Sequence, residues 1–84
     1  MSGDYDGAIS SWRQALGGRN QGEVYQQIAT CYQRLSQHKD AIANYQSAIR
    51  SYDQQIQSGD NTDSAQRGKR SSELGLRVSQ QAGG

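Results

Sequence analysis

The chain of 84 residues carries nine Lys and Arg against eight Asp and Glu, a formal net charge of +1, too small for the electrostatic footprint that a phosphate backbone demands, which argues against a nucleic-acid partner. Hydrophobic residues are 32% of the chain and Phe is absent, and the mean hydropathy is −0.99, so one core of Ile, Leu, Tyr, Ala and Trp12 is expected and a second is excluded. A lone cysteine, Cys31, excludes an intrachain disulfide and two-cysteine metal or redox motifs; with no run of about 20 apolar residues and no charged-then-apolar leader, the chain reads as cytoplasmic, with no membrane partner.

Proline is absent, so the breaks between elements are read from Gly and from Asn/Asp clusters. Tyr5, Ala8, Ile9, Trp12, Ala15 and Leu16 recur at steps of three and four, which predicts an amphipathic helix capped by Asp4 and ended by Gly17-Gly18. After Gly22, the positions Val24, Tyr25, Ile28, Ala29, Tyr32 and Leu35 predict a second helix, followed by a turn at Ser36-Gln37-His38. Ala41, Ile42, Tyr45, Ala48, Ile49, Tyr52 and Ile56 then form a stripe that persists up to Gly59, and this third helix is expected to be the longest.

Gly59-Asp60-Asn61-Thr62 is turn chemistry, and Asp63 with Gln66 three residues on reads as a capping box, so a fourth helix is expected to begin near Ser64. Leu74-Gly75-Leu76-Arg77-Val78 alternates as a strand would, but a lone strand in a helical chain would leave its backbone groups unpaired, which favours helix. At 100° per residue Ala65, Gly68, Ser72, Gly75 and Ser79 fall on one narrow stripe flanked by Leu76 and Val78. Gly68 and Gly75 weaken a helix by about 1 kcal/mol each. Close packing against the third helix is the natural reason to keep them there, and Leu74, pointing away from the stripe, is left as an exposed apolar contact.

Ala8 and Ala41, Trp12 and Tyr45, and Ala15 and Ala48 are each 33 residues apart, which makes the first and third segments copies. Tyr25-x-x-Ile28-Ala29-x-x-Tyr32, followed by Ala41-x-x-x-Tyr45 and Ala48, resembles the pattern of the tetratricopeptide repeat, a helix-turn-helix unit of about 34 residues. Gly3-Asp4-Tyr5-Asp6-Gly7-Ala8-Ile9 looks like the turn and opening of that family's second helix. The resemblance covers roughly residues 3–56 and implies an all-α fold, a right-handed helical-hairpin array (α-solenoid) of about four helices in one domain. Residues 3–17 would be the second helix of a half repeat, 22–57 a full repeat with an extended second helix, and 63–81 a capping helix. Asp53 stands where the family has a terminating proline, the residues after 59 do not match the repeat, and the first unit lacks its leading helix. The chain is therefore expected to be the C-terminal part of a longer array, or to borrow a helix from a second copy.

Catalytic chemistry finds little support. His38 lies in a turn beside Lys39 and Asp40 and has no nucleophile at a matching spacing. Asp4 and Asp6 serve as first-turn acids, Asp60, Asn61 and Asp63 lack the twelve-residue calcium loop, and Cys31 reads as a small buried residue. Arg67-Gly68-Lys69-Arg70 reads as a solvated helix face. No enzyme, cofactor or metal is expected. The resemblance implies a protein–protein interaction module, a scaffold or adaptor, whose groove floor would be Glu23, Gln26, Gln27, Thr30, Gln33 and Arg34. Only Arg34 among them is cationic, which disfavours a carboxylate clamp; from the residues alone, the same positions equally form the solvated face of an amphipathic helix. Tyr5, Ile9 and Trp12 are expected to leave an apolar edge covered by a preceding repeat or by a second copy, which makes homo-oligomerisation through the N-terminal helix the alternative.

Overall fold

The structure, a computed structural model, describes residues 4–18 and 20–83; the expected start of the first element at residue 3 lies outside them. Among the described residues there are four α-helices and no strand: α1 (Tyr5–Gln14), α2 (Gln21–Arg34), α3 (His38–Ser58) and α4 (Thr62–Gly83). None is long and apolar enough to cross a membrane.

The helix ends follow from local chemistry. The Asp4 carboxylate accepts from the Gly7 amide at 2.9 Å, satisfying one orphan donor of α1. The apolar stripe predicts that α1 continues through Leu16, yet it ends at Gln14. There the Ala15 and Leu16 amides tighten onto carbonyls three residues back, at 2.9 and 3.2 Å, and Gly17, at φ 99°, swings the chain away. At the end of α2 the Ser36 amide donates to the Gln33 carbonyl and the Gln37 amide to that of Tyr32, at 3.0 and 2.9 Å. The pair is a Schellman closure, and it holds Ser36 at φ 62°. The same closure ends α3 on a glycine, Gly59 at φ 78°, with Gly59 donating to Ile56 and Asp60 to Gln55 at 3.1 and 3.3 Å.

Two expectations are corrected in α4. It opens at Thr62, not near Ser64, because Asn61 at φ 51° turns the chain directly into the helix, with the Ala65 amide donating to the Asn61 carbonyl at 3.1 Å. Asp63 thus lies inside the first turn, and no capping box forms among the described residues. At 22 residues α4 also exceeds the 21 of α3, so α3 is not the longest helix.

Each helix packs first on its predecessor. α1 rests on α2 alone, α2 lies between α1 and α3, and α4 covers α3 with one edge on α2. Ile9, Val24 and Ile28 are buried between α1 and α2, with Trp12, Leu16, Cys31, Tyr32 and Leu35 packed around them. Ala29, Ala41 and Tyr45 form the next cluster, with Leu76 of α4 against it, and Ala48, Tyr52 and Ala65 form the third. Ala29, Ala41, Ala48 and Ala65 are fully enclosed, so the backbones of adjacent helices approach closely and dispersion contacts are dense. Asp53, read as a departure from the repeat pattern, holds Lys69 of α4 at 2.7 Å. That hydrogen bond and charge keep the Lys69 ammonium above its ordinary range.

Ser36 carries a Cβ in a left-handed position that glycine occupies without strain. Ser36→Gly is expected to raise stability by about 0.5–1 kcal/mol, read as a thermal midpoint several degrees higher; a lower midpoint would contradict the closure described at the end of α2.

Candidate functional site

Two tyrosines of α3 organise the face shared by α2 and α4. The Tyr52 ring lies between two glycines, one on each neighbouring helix. A Cβ on Gly22 would come within 2.7 Å of the ring, and one on Gly68 would overlap it outright. The Tyr52 hydroxyl donates to Gln26 Oε1 at 2.6 Å, and Gln26 Nε2 donates onward to Ser71 Oγ of α4 at 3.0 Å. Seven residues earlier on α3, Tyr45 repeats the arrangement: its ring occupies the space a Cβ on Gly75 would need, and its hydroxyl donates to Gln33 Oε1 at 3.4 Å. Gln33 Nε2 in turn donates to the Gly75 carbonyl and to Ser79 Oγ, at 3.1 and 2.9 Å. Thr30 Oγ1 lies 3.1 Å from the Tyr45 hydroxyl and donates to the Gln26 carbonyl at 2.9 Å. Each buried ring therefore has its polar end satisfied.

This geometry divides the six α2 residues of the expected groove floor. Gln26 and Gln33 are spent inside the chain, bridging α3 to α4, and Thr30 is half-buried beside them. Glu23, Gln27 and Arg34 keep to the outer stripe of α2, at steps of four and seven, with Glu23 and Arg34 exposed and Gln27 half-buried. The sequence held a signal for this division: Gln26 and Gln33 share the seven-residue spacing of Tyr45 and Tyr52 and of Gly68 and Gly75, which is two helical turns and so one face.

On α4 the small-residue stripe is buried as its spacing implies, with Ala65, Ser72 and Ser79 fully enclosed. Leu76 packs on the second cluster. Val78, expected beside it, is instead 54% exposed, and Leu74 is 57% exposed. Ser72 Oγ is sealed with no hydrogen-bond partner, an uncompensated polar burial.

The N-terminal edge differs from expectation at one residue. Ile9 is 5% exposed, sealed against Val24 and Ile28, because α2 lies directly on its side of α1. Trp12 packs around that cluster, half-buried as Tyr5 is, and the Arg13 guanidinium donates to the Tyr32 hydroxyl. His38, expected in the turn, lies instead in a helix. It opens α3, and it is half-buried with Nδ1 enclosed and without a partner. Burial pushes the Cys31 thiol up, against an opposing pull from Arg34, so the thiolate is disfavoured. Among the described residues no group of three or more His, Cys, Asp or Glu converges as a metal site.

Burial between α2 and α4 pushes the Tyr52 phenol up to about 12, with the Glu23 carboxylate adding to the shift. The two side chains share the lining of an open cavity of about 300 Å³ at the N-terminal ends of α2 and α4. Comparison with protein-family models, with curated proteins and with solved structures finds no match to this chain, so its functional reading rests on this geometry and on the sequence pattern.

Because the folded phenol ionises later than the unfolded one, which titrates near pH 10, the contribution of Tyr52 is fully present below about pH 10 and is lost as pH rises towards 12. Thermal melts across that interval should show a steep fall in midpoint, and Tyr52→Phe, though less stable at neutral pH, should show a shallower one. Equal slopes for both proteins would sink the assignment.

The seam predicts opposite signs for two small substitutions. Gly68→Ala forces a methyl into the Tyr52 ring and is expected to lose about 1–3 kcal/mol despite the better helix propensity of Ala. Ser72→Ala removes an unpaired hydroxyl at constant shape and should gain about 1 kcal/mol, whereas Ser72→Leu overpacks the same spot. Thermal melting measures all three, at about 4–8 °C per kcal/mol for a domain of this size.

Proposed function

We propose that the chain is a protein–protein interaction module of tetratricopeptide type, a right-handed helical-hairpin array acting as a scaffold or adaptor. The observation that carries this reading is the unequal burial of the two copies related by 33 residues. Ala41, Tyr45 and Ala48, flanked by α2 and α4, are fully or almost fully enclosed. Their counterparts on α1, which has only α2 beside it, are less so: Ala8 and Trp12 are half-buried and Ala15 is exposed. Side chains whose burial depends on having a neighbour on both sides are the mark of a stacked array. Nearest-neighbour packing along the chain supports the same reading.

The binding residues assigned to this module are Glu23, Gln27 and Arg34 on the outer stripe of α2, with Thr30 at its margin; Gln26 and Gln33 keep the floor rigid. A pull-down with the wild-type chain beside a Gln27→Ala/Arg34→Glu variant tests the assignment. A protein retained by the first bait and lost from the second supports it, and identical captures on both overturn it.

The second reading, assembly of copies through the N-terminal helix, is favoured by half-buried Tyr5 and Trp12, since partly covered apolar surface is where a second copy would dock. Light scattering separates the two readings. A concentration-independent monomer removes the second; a dimer whose Trp12 emission moves to the red on dilution supports it. Trp12 is the sole tryptophan, so the emission reports that edge alone.

A further inference from the structure

We infer that the outer face of α4 is a docking surface for an amphipathic acidic helix of a partner protein. The inference does not rest on the α2 stripe. Among the described residues Leu74 and Val78 are the large hydrophobic residues that stand exposed, at 57% and 54%, and they lie one turn apart. On an ideal wheel Arg67 falls within about 40° of both, and Arg70 and Arg77 lie within about 60° of Leu74 on one flank. From Arg67 to Val78 the stripe runs for about three turns, roughly 16 Å. Two aliphatic anchors with one arginine in line and two on one flank make a surface that a helix of the same periodicity can match, its apolar ridge on Leu74 and Val78 and its carboxylates on the arginines.

Charge decides the chemistry of the occupant. The only ion pair among the described residues joins Lys69 to Asp53, so the guanidiniums of Arg67, Arg70 and Arg77 are held by no carboxylate. Two acids of α4 stand among them, Asp63 one turn before Arg67 and Glu73 one turn from both Arg70 and Arg77, so the three arginines leave the stripe one positive charge in excess. An arginine presents a planar fork that a carboxylate meets in two hydrogen bonds, so a partner bearing Glu or Asp beside its apolar ridge pairs with the excess positive charge of the stripe.

A lipid surface fits less well. The buried side of α4 is committed to α3, and α4 carries no aromatic residue. Only two aliphatic side chains could enter a bilayer, fewer than an interfacial helix needs for stable binding.

The test uses the full chain and fluorescently labelled synthetic peptides of about 18 residues, read by anisotropy. One repeats leucines at helical spacing flanked by glutamates. In a second, lysines replace the glutamates, and in a third, serines replace the leucines. The acidic amphipathic peptide should bind at least about tenfold more tightly than either control and should weaken at about 0.5 M salt. Leu74→Ser and Arg77→Glu should each reduce its binding at least about tenfold while the thermal midpoint falls by no more than a few degrees, since both side chains are exposed. No binding of the acidic peptide, equal binding of the acidic and basic peptides, or indifference to both substitutions overturns the inference. Vesicles of phosphatidylserine and phosphatidylcholine should not sediment the chain. If they do, and Leu74→Ser abolishes it, the face belongs to lipid; a dimer abolished by the same substitution assigns it to a second copy, and either result overturns the proposal.

Discussion

The packing of α2, α3 and α4 on one another depends on how two phenol rings are lodged between them. Tyr45 and Tyr52 project from α3 into spaces that exist only because Gly75, Gly68 and Gly22 have no side chains, and each ring carries its hydroxyl to a glutamine of α2. An aromatic body buries much apolar surface with few rotatable bonds, and its hydroxyl tip accepts no burial without a partner. In this chain the tip is met by Gln26 or Gln33, whose amide then donates across to α4. The apolar and polar parts of the contact therefore cannot be separated: opening α4 strands two amides as well as uncovering two rings.

The consequence for the energetics is a seam with little aliphatic content. α4 contributes Ala65, two serines, two glycines and one leucine to it, so its docking owes less to transferred hydrocarbon than that of α1, where Ile9, Trp12 and Leu16 meet Val24, Ile28 and Leu35. Close backbone approach and satisfied hydrogen bonds take the larger share. Such contacts are directional and intolerant of error, which is why the unpartnered Ser72 hydroxyl stands out in an otherwise matched interface.

Much of the fold was legible in the sequence where periodicity carries it. The stripes of Tyr5 to Trp12, Val24 to Leu35 and Ala41 to Ile56 gave α1, α2 and α3, and the small stripe from Ala65 to Ser79 gave the buried side of α4. What escaped lay in turns and in polar side chains. The tightened end of α1 and the early start of α4 follow from the backbone conformations of Gly17 and Asn61, which hydrophobic spacing does not report. The roles of Gln26 and Gln33 were hidden because glutamine on a helix face is compatible with solvent, groove or interior; only the shared spacing with the tyrosines distinguishes them. Ile9 was assigned to a bare edge on the strength of the missing leading helix, whereas the side of α1 on which it lies belongs to α2.

The seven-residue spacing of the tyrosines on α3 and of the glycines on α4 has one further effect. Sliding α4 along α3 by one heptad would bring Gly68 opposite Tyr45, or Gly75 opposite Tyr52, so half of the lock is preserved in a shifted register. A pattern with that degree of translational symmetry does not by itself select one alignment. The connection does: only Gly59, Asp60 and Asn61 separate the two helices, so Ser58 and Thr62 are four steps apart and reach about 14 Å when fully extended, and a one-heptad slide of about 10.5 Å along the axis combined with a step of about 8–10 Å between helices would take up all of it. The short turn acts as a ruler, and lengthening it would turn a unique alignment into a choice between two.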